Sequence, residues 1–557
     1  MGLLDRRNGC RRVLCVLRSP WTAVAALVLT CPVAADAAQS VAAVESAFAD
    51  FNDAQGAVSL IDSDPQRYTQ FERKSRAEWQ QLYVARRADL GAALGKHPAA
   101  LSREDQRAVT VMRAAVRESS ATPDSLAPTG HCTDARRTRQ PLRTLQQSLY
   151  ACFSELGNNL QFEGATVTRV AAFELLTRMP EPERRKALFL AFVPLWHAVN
   201  GADQPDSPYR RMIGQASAEA RTGGSPVDEA ARTIEVPVAE LERWLQVVLE
   251  AWRLANPDTP QEPWDYRFGA GAAERELAAA VPRKDLQSLN QRFYVDLGLD
   301  LAQARVLYDL DPRPGKAPLA YTDYIRRGRQ LASGWQPTLV RVSANYEHGG
   351  LGPLNELVHE NGHAAHMLAL HTRPAFMDLG DPLFYEAFAD VPAWSVYEPR
   401  WQDKYLGKHA SESASLRARY AAVMLDVAWA LFECRMLREP AADPNAVWTA
   451  ITSRYLHITP HPELAWWAVR VQLVDKPGYM VNYGLGAIIT ADLRQRITSQ
   501  LGPFDSGEPR WFGWLADNLL KSGEEQPTAV QLRQFLGRGV TPQALLDDLR
   551  RIAPAAD

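Results

Sequence analysis

The stretch LNELVHENGHAAHMLAL, residues 354–370, sets three histidines, His359, His363 and His366, around one glutamate, Glu360. Leu354, Leu357, Val358, Ala364, Ala365 and Leu368 recur at helical spacing and form an apolar stripe. Gly350, Gly352 and Pro353 break what precedes them, and proline is accepted in a first helical turn. The spacing therefore predicts a helix with His359 and His363 one turn apart, away from the stripe. Two imidazoles so placed converge on one ion with nitrogens at ~2.0–2.1 Å. Glu360, beside the first histidine, can face a water on that ion as a base. Zinc lowers the pKa of such a water to ~7. A chance H-E-x-x-H in a chain of this composition has odds of about 1 in 100, so a mere solvated helix face is the weaker reading.

Two histidines are one ligand short, because catalytic zinc takes three protein ligands. His366 lies seven residues beyond His359, ~10 Å along a helix axis at ~1.5 Å per residue. It cannot share an ion with both other histidines and is expected to line the cleft or to support a ligand. The better third ligand stands in LFYEAFADVPAWSVYEP, residues 383–399. Glu386 and Asp390 are four apart there, on one helix face among apolar neighbours. Glu386 can ligate while Asp390 accepts the spare N–H of a ligating histidine and fixes its tautomer. Asp378 and Asp381 read as loop residues.

Outward from this segment the chain of 557 residues is globular in composition, 46% hydrophobic and 23% charged. Its 62 basic and 65 acidic residues leave −3 and no reason to expect nucleic acid or an anionic membrane. Residues 1–37 read as a secretory signal: five arginines up to Arg18, the apolar run WTAVAALVLTCPVA, then small residues with cleavage after Ala37. The run is short for a span of ~20 residues, so no integral span is expected in the mature chain. A lipid-modified Cys31 is the alternative. The expected location is periplasmic, with 57 basic and 63 acidic residues left after cleavage. Of the remaining cysteines, Cys132 and Cys152 are the natural disulfide pair in an oxidising compartment, and Cys434 reads as a buried helix cysteine.

Residues 38–210 read as an N-terminal helical lobe and 211–557 as the catalytic region. Residues 199–226 form the most linker-like stretch and 121–141 a loop. Period-two alternation is scarce, and PTLVRVSANYEHGG, residues 337–350, is the best strand. The class is mainly α with a small sheet.

The pattern His-Glu-x-Gly-His, followed about 25 residues later by Glu-Ala-x-x-Asp, resembles the glutamate-zincin peptidases. HENGHAAH is similar to the thimet oligopeptidase/neurolysin family, and YEAFADVPAWSVYEP to the angiotensin-converting enzyme family around its glutamate ligand. PWDYRFGAG (263–271) and RPGKAPLAY (313–321) also resemble oligopeptidase segments, so the likeness covers roughly residues 263 to 490. It implies a two-lobed helical body with a deep cleft beside a small sheet, one zinc ion per chain, and short peptides as substrate. It implies that the strand in 337–350 binds substrate backbone as an added strand. It also implies a tyrosine donor to the oxyanion, for which KPGYMVNYGLG (476–486) offers Tyr479 and Tyr483. The oligopeptidases carry a histidine five residues before that Gly-Tyr; Val474 stands there, with His457 and His461 as distant replacements.

The activity expected is that of an exported zinc metallopeptidase, endopeptidase or peptidyl-dipeptidase, the latter needing a cation such as Arg470 or Lys476 for the substrate carboxylate. A non-catalytic zinc-containing peptide-binding protein and a zinc hydrolase of non-peptide amides are the other readings. Zinc over other divalent metals rests on the ligand types. Oligomeric state is not legible.

Overall fold

The computed structural model describes residues 32–63, 74–95, 100–119, 130–257, 259–313, 316 and 319–552. The expected secretory segment and Cys31 lie outside these, except that Pro32 to Ala37 open the first helix. Among the described residues no helix is long and apolar enough to cross a membrane.

The chain is mainly helical, as its patterning implies. Helices α1 (Pro32–Ser63), α2 (Arg76–Leu94) and α3 (Arg103–Glu118) pack together at the N-terminus. Ser75 starts α2 with a capping box to Glu78, and Ser102 caps α3. Phe48, Phe51, Tyr83, Leu90 and Met112 make their core, which Phe376 of the later chain joins. Ion pairs add to the seam: Arg373 to Glu45 at 3.0 Å and Asp105 at 2.8 Å, Arg329 to Asp50 at 2.8 Å.

A second, larger core runs from Ala135 to Ile552. It includes a helix at Pro208–Gly223, where the composition suggested a linker. Ser207 caps that helix, Pro208 opens it, and Tyr209, Met212 and Ile213 are buried at helical spacing. The polar residues that made it look like a linker occupy its outer face. Cys132 and Cys152 form the expected disulfide, and Cys434 is free and buried.

The elements that place the site are α4 (Arg169–Arg178), a three-stranded sheet, and helices α5 to α8. In the sheet, β1 (Leu307–Asp309) runs parallel and β2 (Tyr321–Arg326) antiparallel to the central β3 (Leu339–Ser343). All five residues of β3 are buried, which makes it the strand most legible from sequence. Helix α5 (Leu351–Ala369) lies against this sheet. Tyr308 of β1 donates to Asn361 Oδ1 at 2.6 Å, and Tyr294 to the Val358 carbonyl at 2.7 Å. At the start of α5, Glu274 accepts the Gly352 N–H at 3.2 Å, an anion where the helix dipole favours one.

Helix α6 (Pro382–Ala393) follows a short 3-10 turn. Asp381 caps it by accepting the Leu383 N–H at 2.9 Å, and Pro382 sits in its first turn. α7 (Glu412–Arg438) and α8 (Met480–Leu501) complete the wall. Thr490 of α8 donates to the Ala387 carbonyl of α6 at 2.9 Å. The approach of α5 to α6 is closest at Gly362, where a Cβ would stand 2.7 Å from both Cα and O of Ala389. Backbone, not a flexible side chain, fills that space. Gly362→Ala is expected to cost about 1–3 kcal/mol of stability by overpacking, read as a lower denaturation midpoint; an unchanged midpoint contradicts this account of the packing.

Candidate metal centre

Helix α5 presents His359 and His363 one turn apart, their rings 4.8 Å apart and edge-on. Helix α6, held against it at Gly362, presents Glu386 to both. Glu386 Oε2 lies 3.4 Å from His359 Nε2 and 3.8 Å from His363 Nε2. One donor atom from each of the three residues lies within 4.8 Å of the others. Nitrogen and oxygen ligands at about 2.0–2.1 Å around a tetrahedral ion stand about 3.4 Å from one another. The two histidines and one carboxylate therefore fit a divalent ion such as zinc. His359 Nδ1 lies 2.7 Å from Asp390 Oδ1. With the ring proton donated to Asp390, the lone pair of Nε2 is left facing Glu386.

The electrostatics follow from burial and these contacts. Burial opposes the His359 cation, but Asp390, Glu386 and Glu360 outweigh it and hold the ring well above its usual value. Burial, with the His359 charge nearby, pushes His363 down to about 3. Burial opposes the charge of half-buried Glu386 too, yet its two histidine neighbours bring its carboxyl below the usual range.

Glu360, 6% exposed, points along the same wall. Burial pushes its carboxyl up to about 7, against the opposing pull of His359 and Thr322. Thr322 of β2 places its hydroxyl 2.7 Å from Glu360 Oε2 and 2.8 Å from the Glu360 carbonyl. Nothing in the sequence singled out Thr322, because strand-to-helix contacts have no local signature.

His366 does not take the place expected of it. It is 1% exposed and sandwiched edge-on by Phe384 at 5.4 Å and Phe388 at 5.3 Å. Burial in that apolar slot pushes it down to about 3. It is a core ring facing α6 and neither lines the cleft nor supports a ligand.

All of this opens on a cleft of about 1420 Å³, with His359, Glu360, His363 and Glu386 in its wall. Tyr483 also lines it, as does Tyr385. Tyr479 sits behind, its ring 5.7 Å from that of Tyr483 and its hydroxyl hydrogen-bonded with Tyr385. Burial and the Glu386 charge raise both phenols above their usual value. Val474 is fully buried. His461 is held by Glu262 and Glu463 at 2.7 Å each, and His457 bonds the Arg253 carbonyl at 3.1 Å. Neither histidine is among the residues lining the cleft, so neither stands in for the histidine missing at Val474.

A basic cluster faces Tyr483. Arg470 pairs with Asp426 and lies 5.5 Å from the Tyr483 ring. Arg169 of α4 and Arg267 join it in the wall. Burial, then the Arg470 charge, pushes each of the two down to about 10. Asp426 pairs with Arg470 and draws on Arg267, while Arg169 donates to the Val469 carbonyl at 3.5 Å. Arg470 was legible as a candidate; Arg169, some three hundred residues earlier in the chain, was not. Lys476 instead lies by the Tyr479 ring, at 5.6 Å.

No protein-family model matches the chain. No curated protein matches it either. Among solved structures, the chain is similar to the crystal structure of the M32 carboxypeptidase from Deinococcus radiodurans R1. The TM-score is 0.52 and the identity 16%, over 92% of this chain and 98% of that one. At that identity the likeness establishes the mainly helical fold.

Asp390→Asn keeps the shape and an acceptor oxygen but removes the negative charge that holds the His359 Nδ1–H and sharpens its tautomer. Zinc affinity is expected to fall about 10–100-fold, measured by competition with a chromogenic chelator; unaltered affinity would show that Asp390 has no such role.

Proposed function

We propose that this chain is a zinc-dependent metallopeptidase that hydrolyses peptide bonds in oligopeptides. One zinc ion per chain is held by His359, His363 and Glu386. The observation that carries the reading is the convergence of those three donors within 4.8 Å at the wall of a large cleft, with Glu360 beside them. Zinc bound there would polarise the scissile carbonyl and make water acidic enough to deprotonate near neutral pH.

The chain's own groups do the rest. Glu360 accepts a proton from the attacking water and passes it to the leaving amine. Its burial keeps it basic enough for the first transfer, and the Thr322 hydroxyl at 2.7 Å orients its carboxylate. Asp390 holds the His359 ring. A tyrosine donates to the oxyanion that develops on the substrate, a contribution of about 3 kcal/mol. Tyr483 lines the cleft and Tyr479 backs it, so Tyr483 is the first choice for that donor.

A peptide-binding protein without catalysis would need no buried base at Glu360. Glu360→Gln separates the two readings. Turnover of a mixed peptide library, followed by mass spectrometry, is expected to fall about 10²–10⁴-fold with zinc still bound, and a chelator should abolish it in the wild type. Persisting turnover in zinc-loaded Glu360→Gln rules out the assigned mechanism.

The basic cluster favours cleavage near a free C-terminus, as a carboxypeptidase or peptidyl-dipeptidase. Arg470 and its two neighbours offer more positive charge than Asp426 neutralises, on the Tyr483 side of the metal ligands. The name of the solved neighbour agrees with an exopeptidase. For substrates with a free carboxylate, Arg470→Gln is expected to raise KM about tenfold or more, with C-terminally amidated peptides unaffected. Equal effects on both substrates would argue for internal cleavage. Export to the periplasm is part of the same proposal, supported by the Cys132–Cys152 bridge, since such bonds persist in oxidising compartments.

A further inference from the structure

Helix α8, which carries Tyr483, starts from a tight turn. The Tyr479 N–H donates to the Lys476 carbonyl at 2.9 Å, and Gly478 takes φ +95°. A side chain at Gly478 would press on Leu437 Cδ1 at 3.1 Å and on Pro226 at 3.3 Å. The amides on either side of Tyr479 meet a single carboxylate. Gly478 N–H donates to Glu433 Oε1 and Met480 N–H to Glu433 Oε2, both at 2.8 Å.

Glu433 belongs to α7 and is fully buried. Burial raises its carboxyl, and these two N–H groups, which favour the charged form, oppose that rise. A carboxylate is the one side chain that offers two acceptor oxygens and no donor at this spacing; a glutamine would turn its NH₂ on one of the amides. The start of α8 also favours a negative charge. The grip therefore fixes the peptide units before and after Tyr479. Tyr479 in turn touches both the Tyr483 ring and the Tyr385 hydroxyl, next to Glu386.

We propose that Glu433 is a positioning residue for the oxyanion-donor tyrosines: its two oxygens clamp the Gly478 and Met480 amides and thereby set Tyr479 and, through it, Tyr483 and Tyr385 against the metal ligands. The inference rests on the peptidase reading. It touches no substrate itself.

The test uses the zinc-loaded full chain. In Glu433→Gln, kcat is expected to fall at least tenfold, with KM within about threefold of wild type and zinc content unchanged. Hydrogen exchange in the peptide covering residues 476–484 should speed up, with α5 and α6 unaffected. In a Tyr483→Phe background, Glu433→Gln should lower kcat little further, because the oxyanion donor that the clamp sets in place is gone. Glu433→Asp, which keeps both acceptors, should recover part of kcat; it also serves as the readout if Glu433→Gln does not fold. Wild-type kcat in Glu433→Gln, unchanged exchange over 476–484, or equal falls in both backgrounds would overturn the proposal. Wild-type turnover no greater than that of Glu360→Gln would instead remove the peptidase reading, while the exchange measurement would still decide whether the clamp exists.

Discussion

The contact between Gly362 and Ala389 decides where everything else can stand. Helices α5 and α6 each bring part of the His359, His363 and Glu386 cluster, and neither part is complete alone. Only backbone-to-backbone approach puts Glu386 within 3.4 and 3.8 Å of the two histidines and Asp390 within 2.7 Å of His359. A methyl group between the helices would move the carboxylates away from both. The pair is then braced from both sides, by the sheet through Tyr308 and Thr322 and by α8 through Thr490.

The charges are arranged with equal economy. Two histidines and the carboxylates Glu386 and Asp390 make a cluster in which attraction favours the charged form of His359, so a cation bound there would compete with that proton. Glu360 adds to that attraction through the His359 charge, while its hydrogen bond is to the Thr322 hydroxyl. Arg169, Arg267 and Arg470 line the same cleft as these groups.

Much of this was legible in the sequence because it is local. The one-turn spacing of His359 and His363 and of Glu386 and Asp390 survives as geometry, since each pair rides on one helix. The strand Leu339–Ser343 was legible as the best case of period-two alternation, whereas Tyr321–Arg326 was not: all six of its residues are half-buried, so no alternation marks it. Pro208–Gly223 was misread because its polar outer face outweighed the large buried side chains Tyr209, Met212 and Ile213. His366 was misplaced because its partners, Phe384 and Phe388, come from the next helix. Thr322, Arg169 and Glu433 act across distances in sequence that no periodicity encodes.

The positions of the three described cysteines bear on how the bridge is kept. Cys132 and Cys152 are separated by 20 residues, and Cys434 comes nearly three hundred residues later. The bridge closes a loop within one local segment, whereas Cys434 is shut inside α7. Thiol–disulfide exchange needs an accessible thiolate. Burial of Cys434 in the folded chain therefore withholds the one free described thiol from the bridge.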